Sequence, residues 1–145
     1  ALKKLGDMIE NQGGDRAVLD DYSLLPSAEH IIPVKAEREG YISSIDTYKV
    51  GLSSQLIGAG RSKKEDNIDA AVGLVMYKRL GDQVQKGDIL AEFHVNDLNK
   101  FDEASKIFME AIQIRSARSK LRPLVLGLVT KHGIQKFGAV SDMEG

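Results

Sequence analysis

The sequence predicts an α+β domain in which a small barrel-like or sandwich-like β module is flanked by helices. Three observations carry this. Short β-branched, partly alternating runs begin at residue 30, as in "HIIPVKA" and "GYISSID". Two Gly-Asp pairs, Gly81-Asp82 and Gly87-Asp88, mark turns on either side of a very short strand, which is how compact β modules turn their corners. Apolar residues at three- and four-residue intervals mark helices on both sides of this β region, in residues 1 to 11 and 101 to 114.

Leu2, Leu5, Met8 and Ile9 form the apolar stripe of a short first helix, stopped by Asn11 and Gly13. A helix of this length is marginal alone, so the stripe is expected to pack on something, including a body outside this chain. "GGDRAVLDDYSLLP" reads as a connector with a single helical turn and a stop at Pro26. The charged "EREG" then joins the first two strands by a tight, hairpin-type turn, and Pro33 puts the first strand at a sheet edge. Asp46 or Thr47 caps a helix through "YKVGLSSQLI", with Val50, Ser54 and Ile57 on one side and Gly58 as its left-handed stop.

Val72, Leu74 and Met76 alternate as one strand, and Ile89, Ala91, Phe93 and Val95 as another. Between them "QVQK" is a short strand crossing between layers. Asp97 or Asn99 caps a helix "FDEASKIFMEAIQI", whose buried face is Phe101, Ala104, Phe108, Ala111 and Ile112. "RSARSKLR" is a basic, solvated joint. "PLVLGLVT" is one more strand, added to this sheet or lying on another body, and "GAVSDMEG" is a frayed end.

Composition narrows the function classes. The 145 residues suffice for one domain, or for one domain with a fragment of another. With 20 Lys and Arg against 21 Asp and Glu, the net charge of -1 gives no reason to expect a nucleic acid or an anionic membrane as partner. The absence of cysteine removes disulfides and thiolate zinc sites and fits a cytoplasmic protein. No apolar run is long enough to span a membrane. Because the chain starts at Ala1, directly on a helix, it is expected to be a piece of a longer polypeptide.

The densest stretch is "LIGAGRSKKEDNID", with two glycines, three cations and three acids. Phosphate cradles lead into a helix N-terminus, where free N–H groups face the anion; this stretch begins at a helix C-terminus. It also matches neither nucleotide-loop pattern, so a loop and cap is the reading. His30, His94 and His132 lie on or beside strands without ligand spacing and read as half-buried, singly hydrogen-bonded histidines. Glu65, Asp66 and Asp69 lack the calcium-loop register and read as a solvated face or cap. Ser43, Ser44, Ser53 and Ser54 lack a glycine elbow and a base. No metal site, no cofactor site and no catalytic residue is assigned.

"LGDQVQKGDIL" resembles the hairpin of biotinyl and lipoyl carrier domains. Carriers need a lysine on an exposed hairpin tip, whereas Lys100 opens a helix and Met76-Tyr77-Lys78 falls in a strand, so the hint concerns fold alone.

A wider resemblance organises the rest. "QGGD" at 12–15, "GYISSID" at 40–46, "GAGRSKKEDNID" at 58–69, "AVGLV" at 71–75 and "GDQVQKGDILAEFH" at 81–94 resemble, in order and spacing, the C-terminal domain of pyrimidine-nucleoside phosphorylases, including thymidine phosphorylase. The resemblance covers about residues 1 to 115. It implies a terminal helix and connector from a larger α/β body over 1–27, an α/β-hammerhead over 28–116 and a C-terminal extension over 117–145.

Such enzymes are homodimers that split a pyrimidine nucleoside with phosphate into free base and pentose 1-phosphate, by closing two domains on the substrates. Their phosphate- and base-binding motifs have no matching position here, so the chain is expected to be inactive by itself, its partner being the remainder of the phosphorylase chain. Within it, Gly58 and Gly60 are hinge candidates for a loop that folds over the cleft. Arg61, and with it Lys63 or Lys64, is the candidate for closed-state contacts to the rest of the enzyme or its ligands; alternatively Arg61 pairs with Glu65, Asp66 or Asp69 and fixes the loop. A stand-alone biotinyl- or lipoyl-like binding module and a purely structural scaffold remain the competing functions.

Overall fold

The computed structural model describes residues 1–61, 63–118 and 125–137, and between residues 30 and 115 its strands are shared by two antiparallel sheets. Strands β1 (His30–Lys35), β3 (Gly73–Met76) and β5 (Ile89–Val95) form the first, in the order β1-β5-β3. Strands β2 (Gly40–Ile45), β4 (Gln83–Val84) and β6 (Ile112–Arg115) form the second, in the order β4-β2-β6. Each strand from β1 to β5 is thus followed along the chain by one in the opposite sheet. The expected β1–β2 hairpin is therefore corrected: "EREG" hands the chain from one sheet to the other, and His30 to Lys35 pair with Val95 to Ile89 instead. Pro33 does sit on an edge strand, opposite Glu92.

The two Gly-Asp turns are built alike. In each, the aspartate N–H bonds to the carbonyl three residues back, Arg79 or Gln85, at 3.1 Å, and its carboxylate accepts that same residue's N–H, at 2.7 Å and 3.2 Å. Gly81 and Gly87 have φ of 90° and 95°, the third-position geometry of a type II turn that excludes most side chains. Each turn then brackets one residue of the neighbouring layer. Ile42 donates to the Asp82 carbonyl and accepts from Gly81 N–H, while Ala36 donates to the Asp88 carbonyl and accepts from Gly87 N–H, all at 2.8 to 2.9 Å. The expectation that "QVQK" is a strand crossing the layers is corrected: β4, only Gln83–Val84, lies at the edge of the second sheet, and the turns on either side of it carry the chain from β3 and back to β5 in the first.

Helix α2 (Thr47–Ser54) is capped by Asp46, whose carboxylate accepts the Tyr48 and Lys49 N–H groups at 3.1 and 3.2 Å. The serine on its buried side is Ser53, not Ser54; its Oγ satisfies itself on the Val50 carbonyl at 2.7 Å. After a short 3₁₀ turn capped by Asp97, helix α3 (Phe101–Ala111) packs beside α2, with Lys49 and Glu110 ion-paired at 3.1 Å. The helix ends at Ala111 rather than running through "IQI", because Ile112 and Ile114 enter the second sheet opposite Ile45 and Ile42.

The core lies between the sheets and α3. Phe93 and Phe108 are both fully buried, with edge-to-face rings 5.5 Å apart, and Phe101 meets Phe93 edge-on at 5.8 Å. Val34, Ile42, Val84, Leu90 and Ala104 close around them.

Two parts stand outside this core. Helix α1 (Leu2–Asn11) and two 3₁₀ turns capped by Asp15 and Asp21 form the connector, where Arg16 lies across Gly6 and reaches Asp7 at 3.5 Å. Leu2, Leu5 and Met8 remain 71%, 43% and 52% exposed, so the expected stripe is present and uncovered. At the other end, β7 (Gly127–Thr130) pairs with β8 (Gly133–Lys136) in a two-stranded sheet of its own, every residue of it exposed. The expected strand in "PLVLGLVT" is thus β7, joined to neither main sheet; "GAVSDMEG" and part of the basic joint lie outside the described residues. Among the described residues no helix is long and apolar enough to cross a membrane.

Candidate functional site

The loop after α2 gathers the charged residues singled out by the sequence. The last turn of the helix widens into a π-helical turn, Gln55–Ala59, inside which Gly58 has φ 106°. Any side chain there would be held in a strained backbone, so glycine is what lets the chain leave the helix at this point. Gly60 is different: at φ −149° and ψ 170° it is ordinary extended backbone. The loop therefore leaves from the carbonyl end of the helix, where the dipole favours cations, and Arg61, Lys63 and Lys64 follow directly, all exposed.

Beyond Arg61, whose carbonyl accepts from the Gln55 side-chain amide, the loop folds on itself. Lys63 N–H donates to the Asp66 carboxylate at 2.8 Å and Asp66 N–H to the Lys63 carbonyl at 3.1 Å. At the far end Asp69 N–H donates to the Gly58 carbonyl at 3.0 Å, bringing the two ends of the loop together. The Asp69 carboxylate accepts Ala71 N–H at 2.9 Å and the Asn96 amide at 2.6 Å, and Asn96 in turn accepts Glu29 N–H at 2.8 Å. The structure thus brings Gly58, Asp69 and Asn96 together at the base of a loop carrying three exposed cations.

Sequence reasoning placed Asp69 among the loop acids but gave no role to Asn96. Its partners lie 27 and 67 residues away, and nothing local marks it. The histidines stay apart: His30 is exposed at the start of β1, His94 half-buried on β5, and His132 exposed between β7 and β8, so only His94 keeps the half-buried setting expected of all three. Among the described residues no three histidines or carboxylates gather as a metal site. A groove of about 560 Å³ runs along α3 and β6, between Glu37, Arg38, Lys106 and Glu110, and takes in none of the loop.

The chain is 40% identical over 131 residues to the pyrimidine-nucleoside phosphorylase of Bacillus subtilis (strain 168), covering 90% of this chain and 30% of that protein. It is 41% identical over 107 residues to the pyrimidine-nucleoside phosphorylase of Staphylococcus aureus (strain USA300), covering 74% of this chain and 25% of that protein. The chain therefore spans less than a third of the length of these relatives. Residues 41–115, which hold all but the first residue of β2, then β3 to β6, the cationic loop, both Gly-Asp turns and α3, match the family model of the pyrimidine nucleoside phosphorylase C-terminal domain, and the chain belongs to that family.

Proposed function

We propose that the chain is the C-terminal domain of a longer pyrimidine-nucleoside phosphorylase, and that it supports the closing of that enzyme on its substrates rather than carrying the chemistry. The partner is the remainder of the phosphorylase chain, and the substrates bound there are inorganic phosphate and a pyrimidine nucleoside, uridine or thymidine. The names and identities of the relatives support this reading, as does the exposed apolar stripe of α1, a surface ready for that remainder. On the same reading the two interleaved sheets are an α/β-hammerhead, the enzyme is a cytoplasmic homodimer, residues 1–27 are a terminal helix and connector from the larger α/β body, and residues 117–145 are a C-terminal extension of the 28–116 domain.

The observation that carries the closure role is the loop itself. Three exposed cations stand on a segment hinged at Gly58, with Gly60 beside it, and tied at its base by the Asp69–Gly58 hydrogen bond. Exposed cations on a loop with a pinned base are suited to meeting an anionic substrate, or the surface that holds it, when domains close. In the longer enzyme, Arg61→Ala is expected to lower turnover in the phosphorolysis of uridine or thymidine while leaving the melting temperature unchanged. A loss of melting temperature alone would assign Arg61 to fixing the loop. The chain by itself is expected to release no base from either nucleoside in phosphate buffer.

The carrier-like reading has less behind it. Of Met76-Tyr77-Lys78 only Met76 is in β3, correcting the expected strand; Lys78, just beyond it, is ion-paired to Asp88 at 3.2 Å, and Lys100 ends the 3₁₀ turn before α3, so neither is a free lysine on a hairpin tip.

A further inference from the structure

Three separate parts of the chain meet at the Asn96 side chain. They are the start of β1, through the N–H of Glu29 just before it; the end of the cationic loop, through Asp69; and the turn from β5 into α3, where Asn96 itself sits. The direction of each bond is fixed by chemistry. A backbone N–H can only donate, so Glu29 requires the Asn96 oxygen; a carboxylate only accepts, so Asp69 requires the Asn96 NH₂. Both partners thus demand the same amide orientation. The other Asp69 oxygen is taken by Ala71 N–H, and Asp69 N–H holds Gly58.

We infer that Asp69 and Asn96 form a polarity-matched relay that sets the position of the cationic loop from the start of β1. Asn96 and Asp69 are positioning residues, acting through the base of the loop. The functional meaning of the relay rests on the reading of residues 58 to 64 as the closing loop; its existence does not.

Polarity makes the relay testable by near-isosteric changes. Asp69→Asn must keep its oxygen on Ala71 N–H, which turns its NH₂ toward that of Asn96, donor against donor. Asn96→Asp keeps Glu29 but sets two carboxylates against each other. Combining the two changes restores every bond with the middle one reversed: the amide introduced at position 69 would donate to the carboxylate introduced at position 96, which still accepts Glu29 N–H. In the 145-residue chain, hydrogen exchange at the backbone amide of position 69 is expected to speed up about tenfold in each single variant and to return to the parent rate in the double variant. Unchanged exchange in the single variants, or no recovery in the double, overturns the relay. The same three variants in the longer enzyme separate the two readings. If the relay is confirmed by exchange and phosphorolysis kinetics do not follow it, the loop is not the closing element, while the relay stands.

Discussion

Asp46 and Asp88 show how single carboxylates organise this chain. Asp46 lies outside α2 and accepts two of its first N–H groups, a local arrangement that spacing narrowed to Asp46 or Thr47. Asp46→Ala is expected to cost about 1 kcal/mol, seen as a lower midpoint in urea unfolding of the 145-residue chain. At Asp88 the Gln85 N–H, and after it the Lys78 ammonium, hold the carboxyl below its ordinary range. A depressed folded-state value means that the stabilisation is present above the ordinary carboxylate pKa and is lost as pH falls through the folded one. Melting temperatures measured from about pH 6 down to about pH 3 should therefore fall less steeply in Asp88→Asn than in the parent. Tyr77 titrates in the opposite sense. Its hydroxyl donates to Glu92 at 2.7 Å, which raises its pKa, so its contribution is present below about pH 10 and disappears as pH rises further. Asn96 lies at the far limit of what spacing can show. Cap residues announce themselves within three positions, whereas a side chain whose partners are 27 and 67 residues away leaves no periodic trace.

At the scale of elements, the helices and turns were legible where one period dominated, and the errors fall where two periods overlap. Phe108, Ala111 and Ile112 continue a helical stripe, but Ile112 and Ile114 also begin a strand alternation. Pairing with β2 decides the matter, and that pairing is long-range. The turn at "EREG" failed for a related reason. A turn signal says that the chain reverses, not which sheet receives it. Element packing gives its own prediction at Phe108, fully buried and edge-on to Phe93. Phe108→Ala should cost about 3 to 5 kcal/mol in urea unfolding, since it removes the ring that joins α3 to β5.

For the whole molecule, the contrast is between a closed core and uncovered ends. Leu5 and Met8 on α1 contribute little to the chain as it stands, so Leu5→Glu should shift its unfolding free energy by no more than about 0.5 kcal/mol. On the proposed reading, in which the stripe packs on the remainder of the longer enzyme, the same change should lower that enzyme's melting temperature; equal melting points would place α1 in solvent there as well. How much of this architecture could be read beforehand follows from its connectivity. Strands β1 to β5 were visible because each is locally patterned, whereas β6 was read as the end of a helix and β8 was not read at all. The partition into two sheets was not, since it depends on contacts between residues as far apart as Tyr41 and Arg115.

That alternation of strands between the two main sheets also governs how the protein is made. With no two consecutive strands from β1 to β6 paired, β1 waits for β5 and β2 for β4 and then β6. As the chain emerges during synthesis, its first sheet cannot form until residues 89–95 are available, nor its second be completed until residues 112–115 are. Until then β1 and β2 are open edges, and Pro33 in β1 is the safeguard present during that interval. Refolding should accordingly be slower than for a helical bundle of the same length, and a chain ended after α2 should hold neither β1 nor β2 in a sheet.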